Sequence, residues 1–311
     1  MAKGERLDHP TGTMTVGHEW DGIEELDTPM PRWWLYILYA TILFAIVYCV
    51  LYPAIPGLHG ATAGTLGWSS HGQLEQELAV DRQRKAPVMA ALARTPIEAI
   101  AKNPALQRAA EEGGRSAFKV YCVQCHGSGA AGGKGYPNLN DDDWLWGGDI
   151  ATIQQTLLHG VRQPGDNATR MSQMPAFGRD GILKPAEIGD LVSYVRFISH
   201  QDPADASAKR GAALFATNCA VCHGDNGRGN RSLGAPNLTD RIWLYGGSRD
   251  TLTQTITNAR YGIMPAWGQR LDPITIKMLA SYVHSLGGGE ASPAKVAETA
   301  PPAATMPVAR P

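Results

Sequence analysis

Cys122-Val-Gln-Cys125-His126 and Cys219-Ala-Val-Cys222-His223 are two copies of one five-residue pattern. Each has a second frame downstream, Met174-Pro-Ala-Phe-Gly178 after the first and Met264-Pro-Ala-Trp-Gly268 after the second. Cys-x-x-Cys-His is the attachment signature of c-type haem. Its two thiols add to the vinyl groups, so the cofactor cannot leave, and the adjacent His is held under the iron. A Met thioether on the opposite face raises the reduction potential. The expected cofactors are therefore two covalently bound haem c. Cys122, Cys125, Cys219 and Cys222 would carry the attachments, and His126, Met174, His223 and Met264 would be the axial ligands. A saturated His/Met iron passes electrons and has no open position for a substrate, so no catalytic residue is expected. Which Met serves which haem stays open, because similar domains packed closely can exchange a ligand.

Other chemistries use the same residue types. Zinc ribbons place their Cys pairs roughly 15–20 residues apart, whereas the two copies here lie much further apart and each has its own His. A redox dithiol needs a βαβ setting, and the surroundings here read as helical. Met is a common filler of apolar cores, but two Met residues in the same five-residue frame favour ligation. Met171 is a rival to Met174 without the Pro-Ala-Phe-Gly that follows it.

The chain has 311 residues, a formal charge of −1, 35 Gly and 21 Pro. That length suits two or three small domains, and the Gly and Pro content suits loops wrapped around cofactors. Four of the five Cys sit in the two motifs, which leaves Cys49 and no disulfide framework. No nucleic-acid partner is expected. Residues 33–52, WWLYILYATILFAIVYCVLY, carry no charge and are long enough to cross ~30 Å of hydrocarbon. Trp33, Trp34, Tyr36 and Tyr52 lie towards the ends, where amphipathic rings favour the interface. A cleaved signal peptide has a shorter apolar run behind a basic start. Here the preceding residues are acidic on balance, so residues 33–52 are read as an uncleaved transmembrane helix, with Cys49 as a packing residue.

The chain repeats itself after residue 111. Gly114 and Phe118 match Gly211 and Phe215; Pro137-Asn-Leu139 matches Pro236-Asn-Leu238; Trp144-Leu-Trp-Gly-Gly148 matches Trp243-Leu-Tyr-Gly-Gly247. The first copy carries extra loop at about 162–173. Each copy ends in an apolar-periodic helix, through Ile188, Leu191, Val192, Val195 and Ile198 in the first and Ile276, Leu279, Ala280, Val283 and Leu286 in the second. Pro185 and Pro273 mark their starts. Tyr194 and Tyr282 are expected to pack on the opening helix of their own repeat, through Phe118 and Phe215. Each copy is small enough to be marginal by apolar burial alone, so the porphyrin is expected to complete its core.

The haem repeats resemble class I cytochromes c, which implies helices around a haem and almost no sheet. By that resemblance Pro137 and Pro236 match the family proline whose carbonyl receives the axial His N–H. Trp144 and Trp243 fall where such domains shield the haem or bind its propionates. The stretch from Gly17 to Trp34, GHEWDGIEELDTPMPRWW, resembles the P subunit (FixP or CcoP type) of cbb3-type cytochrome c oxidases. With the anchor and two haem domains, the resemblance covers nearly the whole chain. It implies an electron-transfer subunit of a proton-pumping terminal oxidase, not catalytic by itself. Its partners would be a donor cytochrome c, a monohaem cytochrome subunit and the haem–copper subunit that reduces O2 to water. Flanking charge leaves orientation open, since Arg32 precedes the span and Arg82, Arg84 and Lys85 follow it. Bacterial c-type haem is attached outside the cytoplasmic membrane, which implies a single pass of the inner membrane with the N-terminus cytoplasmic and the haem domains periplasmic.

The expected fold is mainly α, with one N-terminal transmembrane helix and two tandem class I cytochrome c-like domains. The expected division is a cytoplasmic segment 1–32, the span 33–52, a partly helical linker 53–111, domain 1 at 112–200, domain 2 at 206–286 and a disordered Pro/Ala tail 287–311. Competing functions are the dihaem subunit of a membrane-bound dehydrogenase and a dihaem peroxidase. The N-terminal stretch argues against the first, and the two Met frames argue against the second. Haem that senses a gas would need an open sixth position. Residues 112–200 carry nine acidic and eight basic side chains, and 206–286 carry four and nine. The second copy is thus the more basic, and Asp141-Asp142-Asp143 reads as a solvated loop or a donor-facing patch.

Overall fold

A computed structural model describes residues 4–58 and 60–292. The chain divides into two compact units, one up to Arg84 and one from Lys85 onward. In the first, β1 (Leu7–Asp8), β2 (Thr13–Trp20) and β3 (Ile23–Leu26) form an antiparallel sheet in that order. Asp21 and Gly22 both have positive φ, 51° and 86°, which is the backbone a two-residue hairpin turn requires. No sheet was expected in the segment 1–32, although Asp-Gly is itself a hairpin signal. Helix α1 (Arg32–Leu51) has no buried residue, and Cys49 is exposed on it rather than packed. A short hairpin, β4 (Pro56–Gly57) and β5 (Gly60–Ala61), follows it.

The rest is helical: α2 (Ser70–Arg94), α3 (Ile97–Ile100), α4 (Pro104–Tyr121), α5 (Val123–His126), α6 (Ile150–His159), α7 (Pro185–Ile198), α8 (Ala206–Asn218), α9 (Ala220–His223), α10 (Arg249–Asn258) and α11 (Pro273–His284). Their starts follow from local chemistry. Asn103, Asp149, Asp205, Ser248 and Asp272 accept backbone N–H groups at the first turns of α4, α6, α8, α10 and α11, donors that no helical carbonyl can reach. Pro104, Pro185 and Pro273 occupy first helical positions, where the missing N–H costs nothing.

The helices do not pack repeat by repeat. Helix α11, from the second copy, packs on α4 and α6 of the first; α7, from the first copy, packs on α8 and α10 of the second. Two cores result. One gathers Phe118, Cys122, Ile153 and Leu157 with Ile276, Leu279 and Val283; the other gathers Leu191, Val192 and Val195 with Phe215, Leu252 and Ile256. Tyr282 accordingly meets Phe118, with ring centroids 5.4 Å apart, and Tyr194 meets Phe215 at 5.2 Å. This reverses the expected pairing within each repeat. Both crossings are close. A Cβ on Gly114 would overlap the Met278 carbonyl, and one on Gly211 the Asp190 carbonyl. The glycines that align the repeats are therefore the contact points of the exchanged helices.

Each core draws on both of the stretches 112–200 and 206–286. The second lobe is one continuous stretch from the Met174 loop to α10, inserted into a first lobe built from the chain on either side of it. The linker does not run to residue 111, because Leu92, Ile97, Ile100 and Ala110 are buried in the first core. Lys277 also donates from Nζ to the carbonyls of Leu92, Ala93 and Thr95, at 3.1, 3.0 and 2.8 Å, which fastens the end of α2 to α11. The tail does not begin at Gly287. Glu290 N–H donates to Gly148 O, and its carboxylate meets Arg231 at 2.7 Å. The expected Pro/Ala tail beyond Ser292 lies outside the described residues.

Candidate haem sites

In each copy a helix ends one residue before the first motif Cys, and one further turn, α5 or α9, carries the second Cys and the His. His126 Nδ1 lies 3.1 Å from Pro137 O and His223 Nδ1 lies 3.0 Å from Pro236 O. The bond expected from the resemblance is present in both copies. It fixes each imidazole and leaves Nε2 as the ligating nitrogen. Burial depresses both imidazole pKa values despite these bonds, so the rings are held neutral, as iron ligation requires. Burial and the neighbouring thiol push Cys122 and Cys219 up to about 11. Both are thiols at neutral pH. Among the described residues no group of three or more His, Cys, Asp or Glu is arranged to hold a metal ion.

The Met residues lie across the exchange. Met174, from the first copy, lines a cavity of about 420 Å³ together with Cys219, Cys222 and His223 of the second, a volume within the ~300–1,000 Å³ of cofactor sites. Leu191, Val195, Phe215, Leu252 and Ile256 form its apolar wall. Met264, from the second copy, packs into the core that holds Cys122, Trp144 and Leu157. Backbone bonds hold each Met loop against the other copy. Val161 and Met264 exchange N–H···O bonds of 3.0 Å, and Trp267 N–H donates to Leu157 O at 2.9 Å; Gly178 and Arg179 N–H donate to Thr257 O. Gly160, at φ 66°, permits the first approach, since a Cβ there would overlap Met264 O. Met171 is exposed and packs into neither core.

The cavity carries a mark of what it accepts. Among the described residues, Trp243 Nε1 is the one buried side-chain nitrogen or oxygen without a hydrogen-bond partner. A buried donor left unpaired costs ~1–3 kcal/mol, so this N–H fits an acceptor that the protein does not supply, such as a haem propionate. The matching Trp144 Nε1 instead donates to Gly288 O at 2.6 Å. Arg162 and Arg260 line the same cavity; Arg162 is tied to the Gly262 and Ser172 carbonyls, and Arg260 to Thr251 O and Thr255 Oγ1. Their charges would offset the anionic edge of such a cofactor. Neither arginine was singled out from the sequence. They occupy different positions in the two repeats, so the repeat alignment does not point to them.

Residues 12–59 match the family described as the N-terminal domain of cytochrome oxidase-cbb3, FixP. Residues 109–195 and 206–283 match Cytochrome C oxidase, cbb3-type, subunit III. The chain belongs to the P-subunit (CcoP/FixP) family of cbb3-type cytochrome c oxidases. It is 52% identical over 276 residues to the subunit CcoP of Cereibacter sphaeroides, covering 89% of this chain and 95% of that protein. The subunit FixP of Azorhizobium caulinodans is 52% identical over 285 residues, 91% and 96% of the two chains. That of Bradyrhizobium sp. strain ORS 278 is 53% identical over 293 residues, 93% and 100%. Family membership makes the chain a subunit of an oxidoreductase complex with cytochrome c-type domains, and α1 its membrane anchor.

Proposed function

We propose that the chain is the dihaem electron-transfer subunit of its oxidase. It takes electrons from a donor cytochrome c and passes them by way of a monohaem subunit towards the haem–copper subunit that reduces O2. The chain itself reduces no O2. The haem domains lie in the periplasm and residues 1–32 in the cytoplasm. One haem is attached at Cys122 and Cys125 with His126 and Met264 as ligands, the other at Cys219 and Cys222 with His223 and Met174. When bound, the iron supplies a one-electron couple. The chain's residues do the rest. The Cys pairs retain the cofactor, the Pro137 and Pro236 carbonyls orient the imidazoles, and the thioethers hold the potential high. The apolar walls exclude water, and Trp243, Arg162 and Arg260 receive the anionic edge. Nothing in the comparisons favours a dehydrogenase subunit or a peroxidase.

The observation that carries the crossed ligation is Met174 in one cavity with Cys219, Cys222 and His223. Single-haem variants of the full chain test it. With Cys122 and Cys125 changed to Ala, the remaining haem is the second. Met174→His should then abolish the Met-type near-infrared band and lower the potential, while Met264→His leaves both unchanged. The reciprocal pair, Cys219→Ala with Cys222→Ala, should reverse the dependence. The opposite pattern in either background overturns the assignment.

A further inference from the structure

The stretch following the anchor has features of a surface that does not face bulk water. From Trp33 to Leu74 the sequence contains no Asp, Glu, Lys or Arg, so the charge-free run continues well past the end of α1 at Leu51. The chain then returns to the helix it has just left. Thr65 N–H donates to Val50 O at 2.9 Å and Leu66 N–H to Leu51 O at 3.1 Å. Gly64, at φ 70°, allows this approach, because a Cβ there would lie 2.5 Å from Leu51 O. The last carbonyls of a helix have no partner within it and need caps, water or other chain to satisfy them. Here the chain satisfies two of them itself, which suits a place where water is scarce. The hairpin between these points is likewise closed internally: Thr62 N–H donates to Ile55 O, and Thr62 Oγ1 accepts from the backbone N–H groups of Ala54 and Ile55. In and after it, the large apolar side chains are exposed. Leu58 at the tip is 100% exposed, Ile55 and Leu66 are more than half exposed, and Trp68 sits edge-on to Tyr52 at 5.7 Å.

We propose that residues 53–58 and 60–68 form a collar seated in the headgroup–acyl boundary of the leaflet into which α1 emerges, with lipid covering Leu58 and Leu66. Continuity fixes the depth of Leu66, whose N–H is bonded to the final residue of the span. A helix of the length of α1 just crosses the hydrocarbon core, at 1.5 Å per residue against ~30 Å. Leu66 therefore lies at the boundary, where Trp68 and Tyr52 also belong by their amphipathic rings. The collar both caps the helix and widens its footing, which limits the tilt available to the anchor.

The inference rests on α1 spanning the membrane, and the test separates the two. Single spin labels are placed at Leu58→Cys, Leu66→Cys, Val47→Cys within α1 and Val80→Cys beyond the collar, all in a Cys49→Ser background of the full chain. Relaxation by dissolved O2 and by a water-soluble nickel chelate is compared in lipid vesicles and in the assembled oxidase. Positions 58 and 66 should favour O2 over the chelate several-fold relative to Val80, in vesicles and complex alike. Chelate access at 58 and 66 equal to that at Val80 overturns the collar. Protection found only in the assembled oxidase also overturns it, and assigns the surface to a partner subunit. A chelate-accessible Val47 sinks the anchor itself.

Discussion

The two lobes are built from nearly identical parts, yet one is a continuous stretch of chain and the other is interrupted by it. In the second lobe the Met174 loop and α7 come first, followed by α8, the Cys219 motif and α10. In the first, α4, the Cys122 motif and α6 must wait for Met264 and α11, which arrive only after the whole second lobe. Local contacts are equivalent: Gly114 and Gly211 each take a helix at backbone contact, and each Phe meets a Tyr. The difference lies in sequence separation, which loads loop-closure entropy onto the first lobe. Exchange of the closing helices also makes each haem compartment depend on residues of both repeats.

Fragments give the strongest way to break this comparison. Residues 166–262, exported with a signal peptide, contain every helix of the second lobe and both of its ligand frames, though not Arg162 and Asp143 of its cavity. They should fold alone, bind one haem and show Met ligation. Residues 85–200 contain the first copy as the repeat would define it, but lack Met264 and α11. That fragment should be poorly folded and show no Met-type band. A well-folded, Met-ligated 85–200 fragment would show that each repeat closes on itself. Point changes at the crossings test the same partition more gently. Gly114→Val should loosen the first lobe and Gly211→Val the second, each by ~1–3 kcal/mol or more, because backbone carbonyls cannot move aside. Haem-specific thermal melts would assign each loss to its lobe.

Much of this was legible in the residues. The two Cys-x-x-Cys-His motifs, the Met frames, the terminal helices and the anchor read directly from spacing and periodicity, and the Pro137 and Pro236 partners of the imidazoles from the resemblance to class I cytochromes c. The exchange was not legible, for a physical reason. Each repeat holds a complete set of parts, so Phe118 with Tyr194 and Phe118 with Tyr282 are equivalent pairings at the level of pattern. Only geometry chooses between them. The burial of Leu92, Ile97 and Ile100 was hidden because an Ala-rich stretch reads as a spacer until its apolar positions meet α6 and α11. The sheet of residues 7–26 was hidden because its alternation is inverted: Met14, Val16, Trp20 and Ile23 are exposed, while Glu24 turns inward to meet Arg6 at 2.6 Å.

The paired tryptophans sharpen the comparison at a smaller scale. Trp243→Phe removes a buried donor that has no protein partner, so it should change the potential of the second haem with little effect on stability. Trp144→Phe removes a bond to Gly288 O and should instead loosen the hook at Gly287–Glu290, costing ~1 kcal/mol, with the first haem's potential nearly unmoved. Potentiometry and melting curves on both variants read the two effects separately. Equal potential shifts from the two changes would mean that both indoles face their propionates and that the hook is incidental.

The smallest expected effect concerns Asp143, whose counterpart in the second copy is Ile242. Asp143 lines the second lobe's cavity although it belongs to the first copy. Burial first, then the negative charges of Asp240 and Asp141, push its pKa from 3.8 up to about 6, against a lesser pull from Arg231. The direction of the pH dependence follows. Between pH 4 and 6 the unfolded chain releases this proton while the folded chain keeps it, so stability falls as pH rises through that window and stays lower above it. Asn cannot ionise, so Asp143→Asn should remove the decline. The side chain is only half-buried and partly screened, which brings the gain at pH 7.5 to ~1 kcal/mol, or about 2–4 °C in melting temperature for a body of this size. At pH 4 the two proteins should melt together. If Asp143→Asn lowers the melting temperature at pH 7.5, Asp143 is ionised and stabilising there, held by Arg231. Its burial would then serve an ion pair across the lobes rather than act against the fold.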